Sequence, residues 1–286
     1  MDLATATALA RGAPQPFGAH LRRWRQLRRL SQQDLAAEAD VSTRHLSFVE
    51  TGRAMPSREM VLRLAERLQV PLRRRNAMLV GAGVAPMYRE RPLDDPSLAP
   101  ARHAVERILR AHEPWPALAV DRHWNLVASN RMLPQLMAAA APELLQPPVD
   151  VLRVSLHPRG VAPHIANLRQ WREHLFERLR QQVQATGDAG LASLLEELRG
   201  YPVADDAGHA RLEGEHQGVA VPLQLRSPEG GVLSFISTTT VFGTAVEVTV
   251  QELTLETFFP LDEATAQALR RMAAGWTGPA PAAPAG

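Results

Sequence analysis

Apolar side chains recur at helical spacing through the first 83 residues. The first stripe predicts a helix over residues 17–30 and consists of Phe17, Leu21, Trp24 and Leu27. The same spacing returns in four shorter segments, each bounded by turn residues. Two of them lie within 30–52, one begins at Pro56-Ser57, and one begins at Pro71 and ends near Gly81. Five helices in about 70 residues predict a small all-helical domain.

Serine residues at N-cap positions support these boundaries. Ser31 precedes one helix, and Asp34, three residues later, can complete a weak capping box. Ser42 and Ser57 precede the next two helices, and Gly52 stands where a helix typically ends. Two short capped helices joined by a tight turn predict a helix-turn-helix motif over residues 30–52.

The rest of the chain mixes helical and strand periodicity. Residues 98–128 predict a helix over 98–112 and then a hairpin of strands 117–120 and 124–128. Four helices follow: one capped by Asn130, a short one over 149–156, the longest over about 163–183 and one over 191–199. The period then changes to two, which predicts strands over 219–225, 232–240 and 245–255 before a last helix that holds Leu269 and Met272. This order predicts a PAS-like α+β fold, with one five-stranded antiparallel sheet and helices on one face.

Prolines divide the chain into two domains. Four of them fall within 84–100 together with several charges, which favours an extended linker. We therefore expect a flexible tail over 1–15, a helix-turn-helix domain over 16–84, a linker over 85–97, an α+β domain over 98–276 and a disordered Pro/Ala/Gly-rich tail over 277–286.

Net charge differs between the two parts. Residues 1–90 contain 15 Arg and 8 acidic residues, and residues 91–286 contain 17 Arg and 22 acidic residues, so a basic part precedes an acidic one. A basic domain indicates a polyanionic partner. An Arg-for-Lys bias explains the absence of Lys but not this asymmetry. The arginines off the first apolar stripe fit either phosphate contacts or a solvated face: Arg22, Arg23, Arg25, Arg28 and Arg29.

Several classes of protein are disfavoured by what the sequence lacks. It has no Cys, no apolar run of about 20 residues and no signal-peptide pattern, which favours a cytoplasmic protein without a membrane partner. It has no nucleophile elbow, phosphate loop or H-E-x-x-H motif. His157, His164 and His174 are spaced by seven and ten residues, which does not suit a helical metal site. We expect no enzyme activity, metal or cofactor.

Residues 30–68 carry the spaced pattern L-S-Q-x-x-L-A, V-S-x-x-x-L-S-x-x-E-x-G-R, P-S and L-A-x-x-L. This pattern resembles the Cro/CI-type (XRE) helix-turn-helix family of DNA-binding transcriptional regulators. The resemblance implies that the helix after Ser42 lies in the major groove of a double-stranded operator. The residues it implies for DNA contact are Gln32, Gln33, Thr43, Arg44, Ser47 and Arg53. Arg44 can pair with guanine, and Arg53 suits a phosphate.

Three segments of the second domain, PALAVDRHWNLVASN, VDVLRVSLHP and NLRQWREHLFERLR, resemble the MmyB-like family. The resemblance implies a PAS-like ligand-binding domain and an apolar, fatty-acid-like effector. The candidate pocket residues are Trp124, Leu126, Trp171, Phe176, Phe235 and Phe242. Ordinary core packing is the more common explanation for each of them, since aromatic side chains dominate protein cores.

These observations predict a ligand-sensing transcriptional regulator. One helix-turn-helix domain is small and buries too little DNA surface to be highly selective alone. We therefore expect a homodimer on paired half-sites, with the dimer contact in the second domain. The alternatives are a DNA-binding regulator whose second domain only dimerises, without an effector, and an enzyme with a DNA-binding head. The sequence shows no convergent polar set for the latter.

Overall fold

The computed structural model describes residues 15–202, 220–227 and 230–275. Its contacts divide the chain into two compact units, Met1–Arg91 with Ala245–Val248, and Pro92–Thr244 with Thr249–Gly286. The predicted tail over 277–286, residues 1–14 of the predicted tail over 1–15, and residue 219 of a predicted strand lie outside the described residues. Each unit is described by itself.

The first unit contains five helices within residues 15–91. They are α1 (Phe17–Leu27), α2 (Gln32–Glu38), α3 (Thr43–Glu50), α4 (Arg58–Arg67) and α5 (Leu72–Gly81). The predicted apolar stripes meet in one core, where the side chains of Leu21, Leu35, Leu64 and Met78 are completely buried. The five-helix prediction is confirmed.

The predicted caps also form. The Ser31 hydroxyl accepts from the Asp34 amide while the Asp34 carboxylate accepts from the Ser31 amide, which completes the capping box. Ser42 and Ser57 each accept from the amide three residues later. Helix α1 ends at Leu27, three residues earlier than predicted, because the chain turns there through Arg29 at φ 56°.

Helices α1 and α3 approach each other closely at Gly18. A Cβ atom on this residue would lie 2.5 Å from the Glu50 carbonyl oxygen and 2.6 Å from the Val49 carbonyl oxygen. Only glycine fits this crossing, which brings α1 against the end of the helix-turn-helix.

The second unit alternates helices and strands. Its elements are α6 (Ala99–Ala111), β1 (Ala117–Val120), β2 (Leu126–Ser129), α7 (Leu133–Met137), α8 (Val151–Leu156), α9 (Leu168–Thr186), α10 (Ala189–Arg199), β3 (Leu223–Arg226), β4 (Val232–Val241), α11 (Val248–Gln251), β5 (Thr254–Pro260) and α12 (Glu263–Ala274). Three short 3₁₀ turns lie at Pro96–Leu98, Pro142–Leu145 and Ala162–His164. By the division given above, Val248 of α11 belongs to the first unit.

The strands form one five-stranded sheet in the order β2-β1-β5-β4-β3, and every neighbouring pair is antiparallel. The predicted α+β fold with a five-stranded antiparallel sheet is therefore confirmed. The strand predicted over 219–225 is observed over Leu223–Arg226.

The strand predicted over 245–255 is wrong. Residues 248–251 form α11, and the strand lies at Thr254–Pro260. The valines alternate at 246, 248 and 250, but two hydrogen bonds of this segment join it to residues 89 and 91 and not to a neighbouring strand. The Val248 amide donates to the Arg89 carbonyl, and the Glu247 carboxylate accepts from the Arg91 amide. The alternation therefore belongs to a connection and not to a ladder.

The expectation of helices on one face of the sheet also needs correction. Leu118 and Val120 point into the main core, whereas Ala117 and Ala119 pack on the opposite face with Val105 of α6. All four residues of β1 are buried. A strand covered on both faces is apolar throughout, as the sequence ALAV is.

Candidate functional site

Helix α3 exposes polar side chains at its N-terminal end. Thr43 and Arg44 are exposed, and Ser47 is half-buried. The guanidinium of Arg44 lies 5.4 Å from the ring centre of Phe48, a cation–π contact that orients it along the helix. Arg53 is exposed just beyond the helix end. Side chains placed in this way can approach base edges in a major groove.

A buried carboxylate, Glu50, anchors this region. Arg25 donates to both of its oxygens, at 2.6 and 3.0 Å, and the Gln32 amide donates at 2.7 Å. Burial alone would raise the pKa of Glu50, but the hydrogen bonds from Arg25 and Gln32 outweigh it and hold this pKa below its usual range. Gln32 is therefore fixed at the N-terminus of α2, while Gln33 is exposed beside it.

The arginines of the first helical segment separate into two groups. Arg25 pairs with Glu50, and Arg28 donates to the carbonyls of Leu68 and Gln69 at the end of α4. These two side chains hold the fold together. The remaining three are exposed: Arg22, Arg23 and Arg29. Arg22 also approaches Glu50, with Nε 3.7 Å from Oε2. Exposed guanidinium groups of this kind suit phosphate contacts.

The second unit contains a cavity of about 110 Å³. Most of its wall is apolar and comes from strands and helices on the main-core face of the sheet, among them Leu118, Met137, Val154, Leu175, Leu225 and Phe258. Its polar side chains are Ser155, Arg178 and Glu256. An apolar cavity with a few polar groups is the usual form of a small-molecule site.

Trp124 forms one wall of the cavity and has an unusual backbone. Its φ is 67°, in the left-handed region that bulky residues rarely adopt. Its indole Nε1 donates to Gln182 at 2.8 Å, and Gln182 in turn donates to the Arg122 carbonyl. The Arg178 guanidinium lies 4.7 Å from the ring centre. The ring is thus held from two sides against the cavity.

Arg178 and Glu256 form an ion pair in the cavity wall. Arg178 lies on α9 and Glu256 on β5, and their side chains are 23% and 4% exposed. One guanidinium nitrogen donates to Glu256 Oε2 at 3.0 Å, and the other donates to Oε1. Thr239 on β4 accepts from Arg178 and donates to Glu256. The pair and the hydroxyl form one closed polar network.

On the other side of the cavity, Trp171 donates from Nε1 to the Ser155 hydroxyl at 3.2 Å. His174 stacks on the Trp171 ring with centroids 5.4 Å apart. Burial, and then the charge of Arg178, lower the pKa of His174. The imidazole is therefore largely neutral near pH 7.

Helix α8, which lines the cavity, is fixed by a charged cluster at its start. Asp150 accepts from the amides of Leu152 and Arg153 as an N-cap. Burial raises the pKa of Asp150, although the Arg153 contacts oppose it. Arg153 also pairs with Glu197 of α10 at 2.7 Å, and this hydrogen bond lowers the pKa of Glu197 to about 2.

Two of the six predicted pocket residues, Trp124 and Trp171, line the cavity. Phe176 and Phe235 are buried in the surrounding core, Leu126 packs against that core, and Phe242 packs in the cluster on the opposite face. Sequence reasoning missed Arg178 and Glu256. A signal existed for Arg178, which follows Trp171 by seven residues and so shares its helix face.

Two further features are absent from the part of the chain that the structure describes. There, no three His, Cys, Asp or Glu side chains are grouped in a way that could hold a metal ion. No helix in the same residues combines the length and apolar character needed to cross a membrane.

Two family models match the chain. One, described as "MmyB-like transcription regulator ligand binding domain", matches residues 101–272, and one described as "Helix-turn-helix" matches residues 21–74. No curated protein matches. A solved structure described as "Structure of an RNA-binding Light-Oxygen-Voltage Receptor" is 14% identical, with 95% of this chain and 67% of that chain covered and a TM-score of 0.23. A likeness this weak supports no argument about fold or function.

Proposed function

The chain belongs to the MmyB-like transcription regulators and is a DNA-binding helix-turn-helix regulator with a ligand-binding domain, and we propose that a small apolar ligand in that domain is its effector. The observation that carries this proposal is the apolar cavity with its few polar groups. Neither matched family is an enzyme family. A protein that binds chromosomal DNA is expected in the cytoplasm.

For the DNA-binding part, we propose that α3 reads an operator in the major groove. The exposed Arg44 suits a guanine contact, and the exposed Arg53 suits a phosphate. Thr43, Ser47 and the glutamines at the start of α2, Gln32 and Gln33, complete the proposed contact set. The basic charge of residues 1–90 supports attraction to DNA.

Two arginine variants distinguish a base contact from a phosphate contact. Arg44→Ala removes a base contact, so discrimination at one operator position falls by about 1–3 kcal/mol. Arg53→Ala removes a phosphate contact, so binding weakens on every sequence and the salt slope falls by about 1. Selection from random DNA followed by binding titrations at several salt concentrations measures both. Unchanged sequence preference in a folded Arg44→Ala protein contradicts the reading role.

For the ligand, we propose an apolar, fatty-acid-like molecule, which is the kind that the resemblance to the MmyB-like family implies. A cavity of about 110 Å³ approaches the ~150 Å³ engineered cavity that holds benzene. A short acyl chain therefore fits the cavity as it stands.

Extraction and mass analysis of molecules that co-purify with the full chain test this. Val151→Trp introduces an indole at a half-buried residue in the cavity wall, and Val183→Trp places it at a half-buried valine of α9 outside the wall. We expect the first variant alone to lose the bound molecule. If wild type and both variants carry nothing, and a panel of apolar compounds produces no thermal shift, the second domain acts only in dimerisation.

We further propose a homodimer that binds two half-sites one helical turn of DNA apart, or a multiple of it. The argument is the small size of one reading head, because a single module buries too little surface to be highly selective. Sedimentation of the full chain, with operator fragments of varied half-site spacing, tests this. A monomer on a single half-site contradicts it.

A further inference from the structure

The Arg178–Glu256 pair stands in an otherwise apolar cavity wall. Replacing a buried ion pair by apolar residues of the same volume is often neutral or stabilising, so such a pair is weak evidence for stability. Here it faces a cavity, with Thr239 closing the network and Trp124 stacked on the guanidinium. Its position therefore indicates a role towards the ligand.

The hydrogen bonds of the pair leave room for another acceptor. Within the described residues, the contacts of Arg178 use three of the five N–H groups of a guanidinium. Glu256 accepts three hydrogen bonds, two from Arg178 and one from Thr239. A ligand head group that accepts a hydrogen bond from Arg178 and donates one to Glu256 would complete the hydrogen bonding of both side chains.

Charge decides which head group fits. The guanidinium is already balanced by Glu256, so a second carboxylate would leave one uncompensated negative charge in an apolar site. Like charges this close disfavour each other's ionisation, and two carboxyl groups then share one proton. Among apolar acids, the neutral carboxylic acid therefore suits this site better than the anion.

We propose, on the basis of the proposed ligand-binding function, that the cavity binds an apolar carboxylic acid in its protonated form between Arg178 and Glu256. The carbonyl oxygen accepts from Arg178, and the acid O–H donates to Glu256. Binding of the anion from neutral solution takes up one proton from the solvent. Glu256 is the specificity-determining residue, because it excludes the ionised head group.

A titratable histidine lies within electrostatic range of the pair. His174, one turn before Arg178 on α9, feels the charges of both Arg178 and Glu256. The residues of β4 carry no titratable side chain. In the turn before β2, Arg122 and His123 pair with Asp188, and Arg122 also approaches Glu252. His174 is thus the competing source of pH dependence, and His174→Gln is the matched control.

The experiment titrates the full chain with hexanoic acid, 1-hexanol and hexylamine, probes of equal chain length, between pH 6 and 8. For wild type and His174→Gln we expect the Kd of the acid to rise about tenfold per pH unit. The Kd of the alcohol should stay constant within about twofold, since no proton is taken up. In Glu256→Gln, acid binding at pH 8 should tighten at least about tenfold and lose its pH dependence, because the anion then pairs with Arg178.

Two wild-type measurements keep the test independent of how the variants fold. Calorimetry in buffers of different ionisation enthalpy should show uptake of about one proton per acid bound, and the carboxyl ¹³C shift of labelled hexanoic acid should be that of the protonated form. Acid binding without proton uptake, or tighter binding of the amine, overturns the inference while ligand binding stands. If none of the three probes binds, both the inference and the proposed apolar ligand fail.

Discussion

Glu50 provides the sharpest test of how the helix-turn-helix is held. Its side chain is completely buried, and that of Arg25 is 13% exposed. Glu50→Gln keeps the shape of the side chain but removes its charge, which leaves the guanidinium without a balancing anion. Breaking a buried ion pair costs about 3–5 kcal/mol. Because the amide oxygen can still accept hydrogen bonds, we expect the lower end, about 3 kcal/mol.

Hydrogen exchange of the full chain, followed by mass spectrometry, measures this locally. A loss of about 3 kcal/mol corresponds to a rise of somewhat more than about 100-fold in the exchange rate of protected amides. We expect this rise in peptides from α1 and α3, and no change in peptides from α9 or β5. Glu66→Gln removes a charge from an exposed residue of α4 and should change stability by less than about 0.5 kcal/mol.

The double variant Arg25→Met/Glu50→Leu identifies the cause. If the unpaired charge is what destabilises Glu50→Gln, removing both charges should recover most of the lost protection. Equal exchange in Glu50→Gln and Glu66→Gln would refute the reasoning, since the buried pair would then contribute no more than a surface carboxylate. The sign with pH follows from the depressed pKa of Glu50. Its contribution is present above about pH 4.3 and is lost as pH falls through the folded-state pKa.

Three further predictions concern single positions. Glu197, with a pKa of about 2, should stay ionised in a ¹³C NMR titration until well below about pH 4.3. In Arg153→Gln its pKa should rise towards that ordinary value, although the hydrogen bond from Tyr201 still lowers it. The stabilising contribution of Glu197 is lost as pH falls towards 2, and an ordinary midpoint in wild type contradicts the ion pair. Gly18→Ala should expose the amides of α1 and α3 to exchange, because its Cβ would overlap the Glu50 carbonyl, whereas Gly243→Ala meets open space and should be neutral. Asn130→Leu should destabilise the second unit by about 3 kcal/mol in urea titrations, because it removes the side-chain hydrogen bonds to four backbone groups. These are the amides of Ala117 and Met132 and the carbonyls of Leu109 and Trp115. The control Gln146→Leu changes an exposed residue and should have little effect.

Local features of the fold were predictable from the sequence because their causes are local. Each serine cap acts on an amide three residues away, and each helical stripe repeats within one element. The strand predicted over 245–255 failed for the opposite reason. Its alternation is real, but its hydrogen-bond partners are Arg89 and Arg91, more than 150 residues earlier. Nothing within the segment distinguishes these partners from a neighbouring strand.

The contrast between local and distant causes also explains which cavity residues the sequence indicated and which it did not. Trp124 and Trp171 stand out in the sequence because large aromatic residues mark cores and pockets alike. Arg178 and Glu256 are 78 residues apart, and each alone resembles a solvated charge on a helix or strand. Only their meeting across α9 and β5 makes them a buried pair. Polar groups in cavities are therefore harder to predict than the apolar wall that surrounds them.

The strained backbone of Trp124 bears on how the cavity binds. Left-handed φ costs a bulky residue about 1–2 kcal/mol, and such strain persists only where the surroundings over-determine it. Here the Trp124 amide donates to the Asp121 carbonyl, its own carbonyl accepts from the Val151 amide, and its ring is held by Gln182 and Arg178. These contacts fix the wall of the cavity before a ligand arrives. Ligand binding then loses little free energy to ordering the ring, which favours affinity from a small contact area.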